Sequence, residues 1–394
     1  MYLFNPDHDL ALADFSPHYT PPASAVRMAE ELSLLPVWYA GEGANSPLVI
    51  AEGEVNRSFL DAVKQILPLH ATLIPFTDVA LYPRRKIIPW GWNPALRRKL
   101  TSHGADGEAL PSPEELARLR EYSNRLHAVE ILRELRSEEE RFCGESRFFT
   151  DTEELYAWLQ SVPGNKVLKM PLSGSGKGLI WILGEITGKQ RDRCRRIVRE
   201  QGGIAAEPVL TVKQDFAMEF HLHAGEARFA AYSLFSASSS GAYTGNELLD
   251  DARIEAELCR YVPAGLLHQL KASLAEKLSR RFPSYSGCAG VDMMICKTAA
   301  GAYRLQPCVE INMRMNMGMA AHLFCERHIS AGAKGKFTVN YFKKPGSALS
   351  FHEKMRRESP LTVENGKILS GYLSLTPVVK TTRYIACANV LRND

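Results

Sequence analysis

No stretch of roughly 18 apolar residues occurs in this 394-residue sequence, so no transmembrane helix is expected. The opening residues MYLFNPDHDLALADF carry acids and a proline, where a signal peptide needs basic residues and then an apolar run. The eight cysteines (Cys143, Cys194, Cys259, Cys288, Cys296, Cys308, Cys325, Cys387) contain no C-x-x-C pair. In a chain this long they read as buried, reduced thiols of a cytoplasmic protein. A cysteine nucleophile has no adjacent sequence feature to support it. Charge of one sign is scarce too. The net charge is +4, without the concentrated basic face of a nucleic-acid binder. Internal repeats and long low-complexity segments are absent. What remains, 45% hydrophobic and 23% charged, is ordinary for a folded soluble protein of two or three structural units.

Short apolar runs at 2–4, 36–41, 47–53 and 72–76 read as strands, and the apolar spacing of 55–67 reads as a helix. This alternation predicts an α/β unit with a largely parallel sheet. Ser112-Pro113-Glu114-Glu115 reads as a helix start, with an N-cap serine, a proline and a glutamate at the third helical position. Leu116, Leu119, Tyr122, Leu126, Val129 and Leu132 follow as one apolar stripe. Asp151 with Glu154 marks another start. Residues 189–201 hold many arginines, with Cys194, Ile197, Val198 and Gln201 on one face. They read as a surface helix stopped by Gly202-Gly203, without the interleaved aromatics of single-strand binders. Residues 236–245 (SASSSGAYTG) read as a mobile loop and a candidate substrate gate. Beyond residue 330 the chain reads as strand-rich, at 336–342 and 370–380.

Residues 166–183 read KVLKMPLSGSGKGLIWIL. A P-loop would need glycine at 171 and serine or threonine at 178. Pro171 and Gly178 stand there instead. The following LIWIL favours a strand, whereas a P-loop opens a helix. The unit is a strand, a glycine-rich loop and a strand. Gly174, Gly176 and Gly178 let backbone N–H groups approach a phosphate, and Lys169 adds a point charge. An ordinary turn would use the same glycines.

Residues 287–318 predict two strands, 289–297 and 303–313, joined by a turn at 298–301. Alternation puts Val309, Ile311 and Met313 on one face of the second strand, and Glu310, Asn312 and Arg314 on the other. On the first strand Val291, Met293 and Ile295 alternate with Asp292. Simple pairing through the turn sets Asp292 opposite about position 307, where Pro307 marks a bulge or an edge. Two close carboxylates repel and are costly to bury. A divalent cation resolves both problems, and two carboxylates with an amide oxygen are hard ligands suited to Mg²⁺. Arg314 suits a phosphate. The alternative is a solvated polar face with a strand salt bridge.

In chain order these segments resemble the ATP-grasp superfamily over about residues 115–330. Lys169 and the loop Ser173, Gly174, Ser175, Gly176, Lys177, Gly178 resemble its phosphate-covering hairpin. AAEPVL at 205–210 resembles its hinge. The resemblance implies that Glu207 accepts from the adenine amino group, that the Val209 backbone meets the ring and that Asp215 holds the ribose hydroxyls. GVD at 290–292 and EINMR at 310–314 resemble its metal strands. They imply Asp292, Glu310 and Asn312 as Mg²⁺ ligands, and Arg314 with Lys169 as catalytic groups at the reacting phosphate. Arg125 is the nearest candidate for the family's usual phosphate-binding lysine. The implied fold is mixed α/β and α+β: a Rossmann-like α/β domain (1–112), a lid (113–205), a catalytic lobe (206–335) and its strand-rich extension (336–394). The implied cofactors are ATP and Mg²⁺, as two ions or with Mn²⁺ in their place. The implied reaction turns a carboxylate into an acyl phosphate, which an amine or a thiol then attacks. The partners expected are small-molecule acids and amines, with a homodimer as the default and neither nucleic acid nor membrane. A phosphotransferase acting on a hydroxyl and a non-catalytic nucleotide-binding module stay open beside the ligase.

Three further features invite chemistry. Glu219, His221 and His223 share one face of a predicted strand, but no third soft ligand lies near the H-x-H pair in sequence. Asp7-His8-Asp9 follows the first strand, at the end where α/β sheets place ligands; a simple turn reads equally from those residues. Arg84-Arg85-Lys86 reads as exposed charge.

Overall fold

The computed structural model describes residues 1–41, 46–174, 178–238 and 243–392. In chain order the strands are β1 (Tyr2–Leu3), β2 (Leu48–Ile50), β3 (Thr72–Ile74) and β4 (Ile88–Pro89); β5 (Arg147–Phe149), β6 (Lys166–Lys169), β7 (Leu179–Ile182) and β8 (Ile204–Pro208); β9 (Val212–His223), β10 (Glu226–Ala237), β11 (Tyr243–Leu248), β12 (Gly287–Lys297) and β13 (Tyr303–Asn312); and β14 (Lys334–Tyr341), β15 (Thr362–Glu364), β16 (Lys367–Ser374) and β17 (Tyr384–Leu391). The chain divides into two compact units. One is Met1–Ala117 with Thr244–Arg253 and Arg314–Asp394, and the other is Arg118–Tyr243 with Ile254–Met313.

In the first unit β3-β2-β1-β4 form a parallel sheet. Strands β11-β14-β17-β16-β15 run in that order in an antiparallel arrangement. Phe4, Trp38, Trp90, Phe324 and Phe337 belong to one core, and the Trp38 indole donates to the Leu375 carbonyl at 2.6 Å. The final strand-rich segment packs on the same core as the N-terminal sheet. Its apolar faces supply that core. The 36–41 run, expected as a strand, is a 3₁₀ turn over Leu35–Trp38 with Pro36 in its first turn. Its side chains are buried on successive positions, so no alternation was available to separate strand from turn.

In the second unit β5-β8-β6-β7 form a small antiparallel sheet. Leu168, Ile180 and Ile182 pack with Trp158 and Ile197 from its helices. The basic helix Gly188–Gln201 buries Cys194 and Ile197 and ends at Gly202, φ +79°. Strands β13-β12-β9-β10 run in that order, each neighbouring pair antiparallel. Residues 236–237 end β10 and 243–245 begin β11, so the segment expected as a loop at 236–245 is strand at both ends; 239–242 lie outside the described residues.

The Ser112 start is a capping box: Ser112 Oγ accepts from Glu115 N–H at 3.2 Å, and Glu115 Oε2 from Ser112 N–H at 2.7 Å. The apolar stripe beyond it is broken into helices Pro113–Tyr122 and Leu126–Glu138. Asn124 causes the break by taking the Leu126 N–H on its side chain at 2.9 Å. That places Arg125 at the N-cap of the second helix. Glu130, Glu134 and Glu138 tie this helix to Lys277 and Arg281 of helix Ala264–Arg281.

Candidate functional site

Strands β12 and β13 form the hairpin the sequence predicts, with one change of register. The pairs Lys297↔Tyr303 to Met294↔Gln306 follow simple pairing, after which Asp292 pairs with Glu310 instead of a residue near 307. Met293 is opposed by Pro307, Cys308 and Val309, a bulge of two extra residues. Pro307 has no ladder donor to lose. The Cys308 N–H left over is taken by Gln306 Oε1 at 3.0 Å. Gly144 lets Gln306 sit there: φ is +91°, and a Cβ would lie 2.4 Å from Gln306 Cγ. A shift of two keeps the faces in phase. Val291, Met293, Ile295 and Ile311 are buried, while Asp292, Glu310 and Asn312 stand on the other face. Asn312 Nδ2 donates to Asp292 Oδ2 at 3.2 Å.

Arg125 donates from Nη2 to Glu310 Oε1 at 2.8 Å and from Nε to the Met170 carbonyl at 3.2 Å. Its side chain is 4% exposed. Burial opposes its charge, yet Glu310, with Glu207 and Asp292 behind it, lifts its pKa above the ordinary value. Nη1 is buried with no hydrogen-bond partner among the described residues, so both of its N–H donors are to spare.

On β6, Val167 and Lys169 share one face, and Leu168 turns to the core. Lys169 Nζ meets Glu207 Oε2 of β8 at 2.6 Å, both side chains under 10% exposed. Ser146 donates to Glu207 Oε1 at 3.0 Å. Glu207, expected to face an adenine amino group, thus has both oxygens engaged. The Val209 N–H donates to the Asn165 carbonyl at 2.9 Å. The Met170 N–H closes the glycine hairpin on the Gly178 carbonyl at 3.0 Å. A Cβ at Gly178 would lie 2.0 Å from Ser173 Oγ. Ser175, Gly176 and Lys177 lie outside the described residues.

These groups line a cleft of about 410 Å³, within the range of roughly 300–1,000 Å³ common to small-molecule and cofactor sites. Of the residues singled out from sequence, Arg125, Lys169, Ser173, Gly174, Glu207, Val209, Asp215, Asp292 and Glu310 line it. Burial raises the pKa of Asp215. The apolar lining, Trp181, Leu210, Val212 and Phe235 among it, was missed. Alternation on β7 could have found Trp181, because Ile180 and Ile182 are buried and Trp181 is exposed.

Arg314 departs from its expected position. Arg314 lies two residues past the end of strand β13 at Asn312. It falls in the first unit and makes a bidentate pair with Asp9, Nε to Oδ1 and Nη2 to Oδ2, both 2.8 Å. Asp9 is therefore committed, and His8 is buried and faces Gly91. Of Asp7, His8 and Asp9, Asp7 lines a cleft of the first unit.

The register of β9 with β12 supplies what the H-x-H pair lacked in sequence: Cys288 Sγ lies 3.6 Å from His221 Nδ1. Burial pushes the Cys288 thiol up to about 12, which keeps it protonated. His223 Nδ1 faces Ser286 Oγ at 3.4 Å. Among the described residues no three His, Cys, Asp or Glu side chains are grouped to hold a metal by themselves, and no helix is long and apolar enough to cross a membrane.

No family model matches the chain, nor does any curated protein. Solved structures do. The N5-carboxyaminoimidazole synthetase of Staphylococcus aureus complexed with ADP is 12% identical and aligns over 90% of this chain and 95% of its own, with a TM-score of 0.50. Another structure of that enzyme is 11% identical over 100% and 93%, at 0.51. The biotin carboxylase of Campylobacter jejuni, as a β,γ-ATP complex, is 10% identical over 100% and 87%, at 0.52. Identities this low speak of architecture. The chain has the ATP-grasp fold.

Proposed function

We propose that the chain is an Mg-ATP-dependent ligase that activates a carboxylate for attack by an amine. The observation that carries this reading is the two-residue bulge that brings Asp292 opposite Glu310, with Asn312 bonded to Asp292, in a cleft shared with Lys169. The structural neighbours described with ADP and with β,γ-ATP support a nucleotide in that cleft. On this reading Val209, Leu210 and Trp181 flank the adenine, Asp215 takes the ribose hydroxyls, and Glu207 holds Lys169 for a phosphate.

Two carboxylates and an amide oxygen fit a hard divalent cation. Arg125 already offsets part of their charge, and its spare Nη1 donor suits a phosphate oxygen. The ion would neutralise and orient phosphate charge. The chain's own contribution is positioning and fixed electrostatics. The carboxylate oxygen of the acid forms a bond to the γ-phosphorus as the bond to ADP breaks. The amine then displaces phosphate and loses a proton. Ser173, Gly174, Phe235 and Ser238, which line the cleft, would help keep water from the acyl phosphate.

Calorimetry with ATP, with and without Mg²⁺, tests the reading. Magnesium-dependent binding supports it, and no binding sinks it. A hydroxylamine trap separates the ligase from a phosphotransferase on the same scaffold, because only an acyl phosphate gives a hydroxamate.

A further inference from the structure

The first unit holds a cleft of its own, of about 680 Å³, at the carboxyl ends of its parallel strands. Leu3 ends β1 and Phe4 follows it, Ile50 ends β2 and Ala51 follows it, and Phe76 lies just beyond β3. The strand order places β1, earliest in the chain, between β2 and β4. Chain connections leave in opposite directions there, and an open α/β sheet leaves a crevice at such a point.

Most polar groups of this cleft are spoken for. Asn5 exchanges both side-chain bonds with the Gly91 backbone. Asn93 caps a helix, Asn56 bonds Ser33 and the Glu52 carbonyl, and Glu52 Oε1 accepts from Phe76 N–H. Glu30 and Arg98 line it as exposed charges, and three other groups differ. The Asp7 carboxylate is half-buried, and its pKa is raised by that burial, which its own backbone and Lys99 oppose. No ion pair within 4 Å satisfies it among the described residues. The Tyr19 hydroxyl is buried without a hydrogen-bond partner among the described residues. It is close enough to Asp7 that burial, followed by that charge, pushes it up to about 12. Lys99 is exposed, its ammonium 3.9 Å over the Phe76 ring, and it has no ion pair among the described residues. All three line the one cleft, where Asp7 feels the charge of Lys99 without pairing with it. A half-buried charge without a partner is costly, and a gap between opposite charges is filled by a molecule that carries both.

We propose that this cleft binds a small zwitterion, its ammonium on Asp7 and its carboxylate on Lys99 and the Tyr19 hydroxyl. The inference is independent of the ATP reading, since it uses neither nucleotide nor metal and involves no residue of the other cleft.

Calorimetry on the full chain without nucleotide tests it, with glycine, β-alanine, γ-aminobutyrate, L-aspartate and L-lysine as probes and N-acetylglycine, methylamine and acetate as controls. At least one zwitterion binds below about 10 mM, and removing either of its charges weakens it about tenfold. Asp7→Asn weakens that probe by about tenfold and Lys99→Met by a smaller factor, while both variants keep the wild-type far-UV circular dichroism. The idea is overturned if no zwitterion binds, if a capped control binds equally well, or if folded Asp7→Asn and Lys99→Met bind the probe as the intact chain does. Magnesium-ATP titrated in parallel keeps the two readings apart. Zwitterion binding without ATP binding leaves this site standing, and the converse removes it alone.

Discussion

The two clefts handle charge in opposite ways. In the second unit the ionised groups are engaged at close range: Lys169 with Glu207, Arg125 with Glu310 and Asp292 with Asn312. In the first, Asp7, Tyr19 and Lys99 converge without direct contact. A cleft whose charges are paired is stable as it stands and presents preset electrostatics to a ligand. One whose charges are unpaired gives up stability until something binds. The same substitution, a carboxylate made neutral, should therefore have opposite consequences on the two sides.

The largest effect is expected at Glu310. Glu310→Gln should lower ATP turnover by about a thousandfold or more, of the order seen when one preorganised electrostatic group is removed; ADP release measures it. Retained turnover would cut the acidic hairpin out of the site. Next, Lys169→Met strands the Glu207 carboxylate and should cost about 3–5 kcal/mol in urea unfolding. The double change with Glu207→Leu should recover much of that, because two apolar groups leave no charge behind. A double variant as unstable as the single one would break the comparison.

Acid should weaken the first unit through its buried histidines. Burial, outweighing Asp9, lowers His8 to about 4; burial, outweighing a backbone bond at Trp38, does the same to His328. A depressed folded value means stability present above the unfolded value near 6.5 and lost as pH falls toward 4. Between pH 7 and 5 the loss is about 2 kcal/mol for each histidine, readable from unfolding midpoints of wild type and His328→Gln, in which the dependence shrinks. The smallest effect has the reverse sign. The raised pKa of Asp7 means that its stabilising contribution belongs to its protonated form, below the unfolded value, and is lost as pH rises. Asp7→Asn should therefore leave stability at pH 7 unchanged or raise it by up to about 1 kcal/mol, screening by solvent limiting the gain. A clear loss of stability would show that Asp7 is paired after all.

The second cleft was legible in sequence because its residues sit on strands, where a period of two assigns faces without any knowledge of tertiary contacts. Asp292, Glu310 and Asn312 were placed on one face that way, although their register was not. Nothing in the composition of 306–309 states how many residues a bulge absorbs. The alternation was carried to Arg314, two residues past the end of the strand at Asn312. Arg125 was noticed without its cause, since one side-chain bond from Asn124 turned an apparently continuous helix into two. The first cleft was hardly legible. Its members come from residues 7, 19, 76 and 99, on elements that only the parallel sheet assembles. The capping box at Ser112 and the stop at Gly202 needed no assembly, because their signals lie within three or four residues.

The bulge opposite Met293 also limits what length changes this hairpin can accept. Inserting or deleting a single residue between Gln306 and Glu310 would turn Glu310 and Asn312 into the apolar layer and expose Val309 and Ile311 in their place. Gain or loss of two would keep every face and merely slide the acids along the neighbouring strand. Homologous chains that retain the acidic pair should therefore differ here by even numbers of residues.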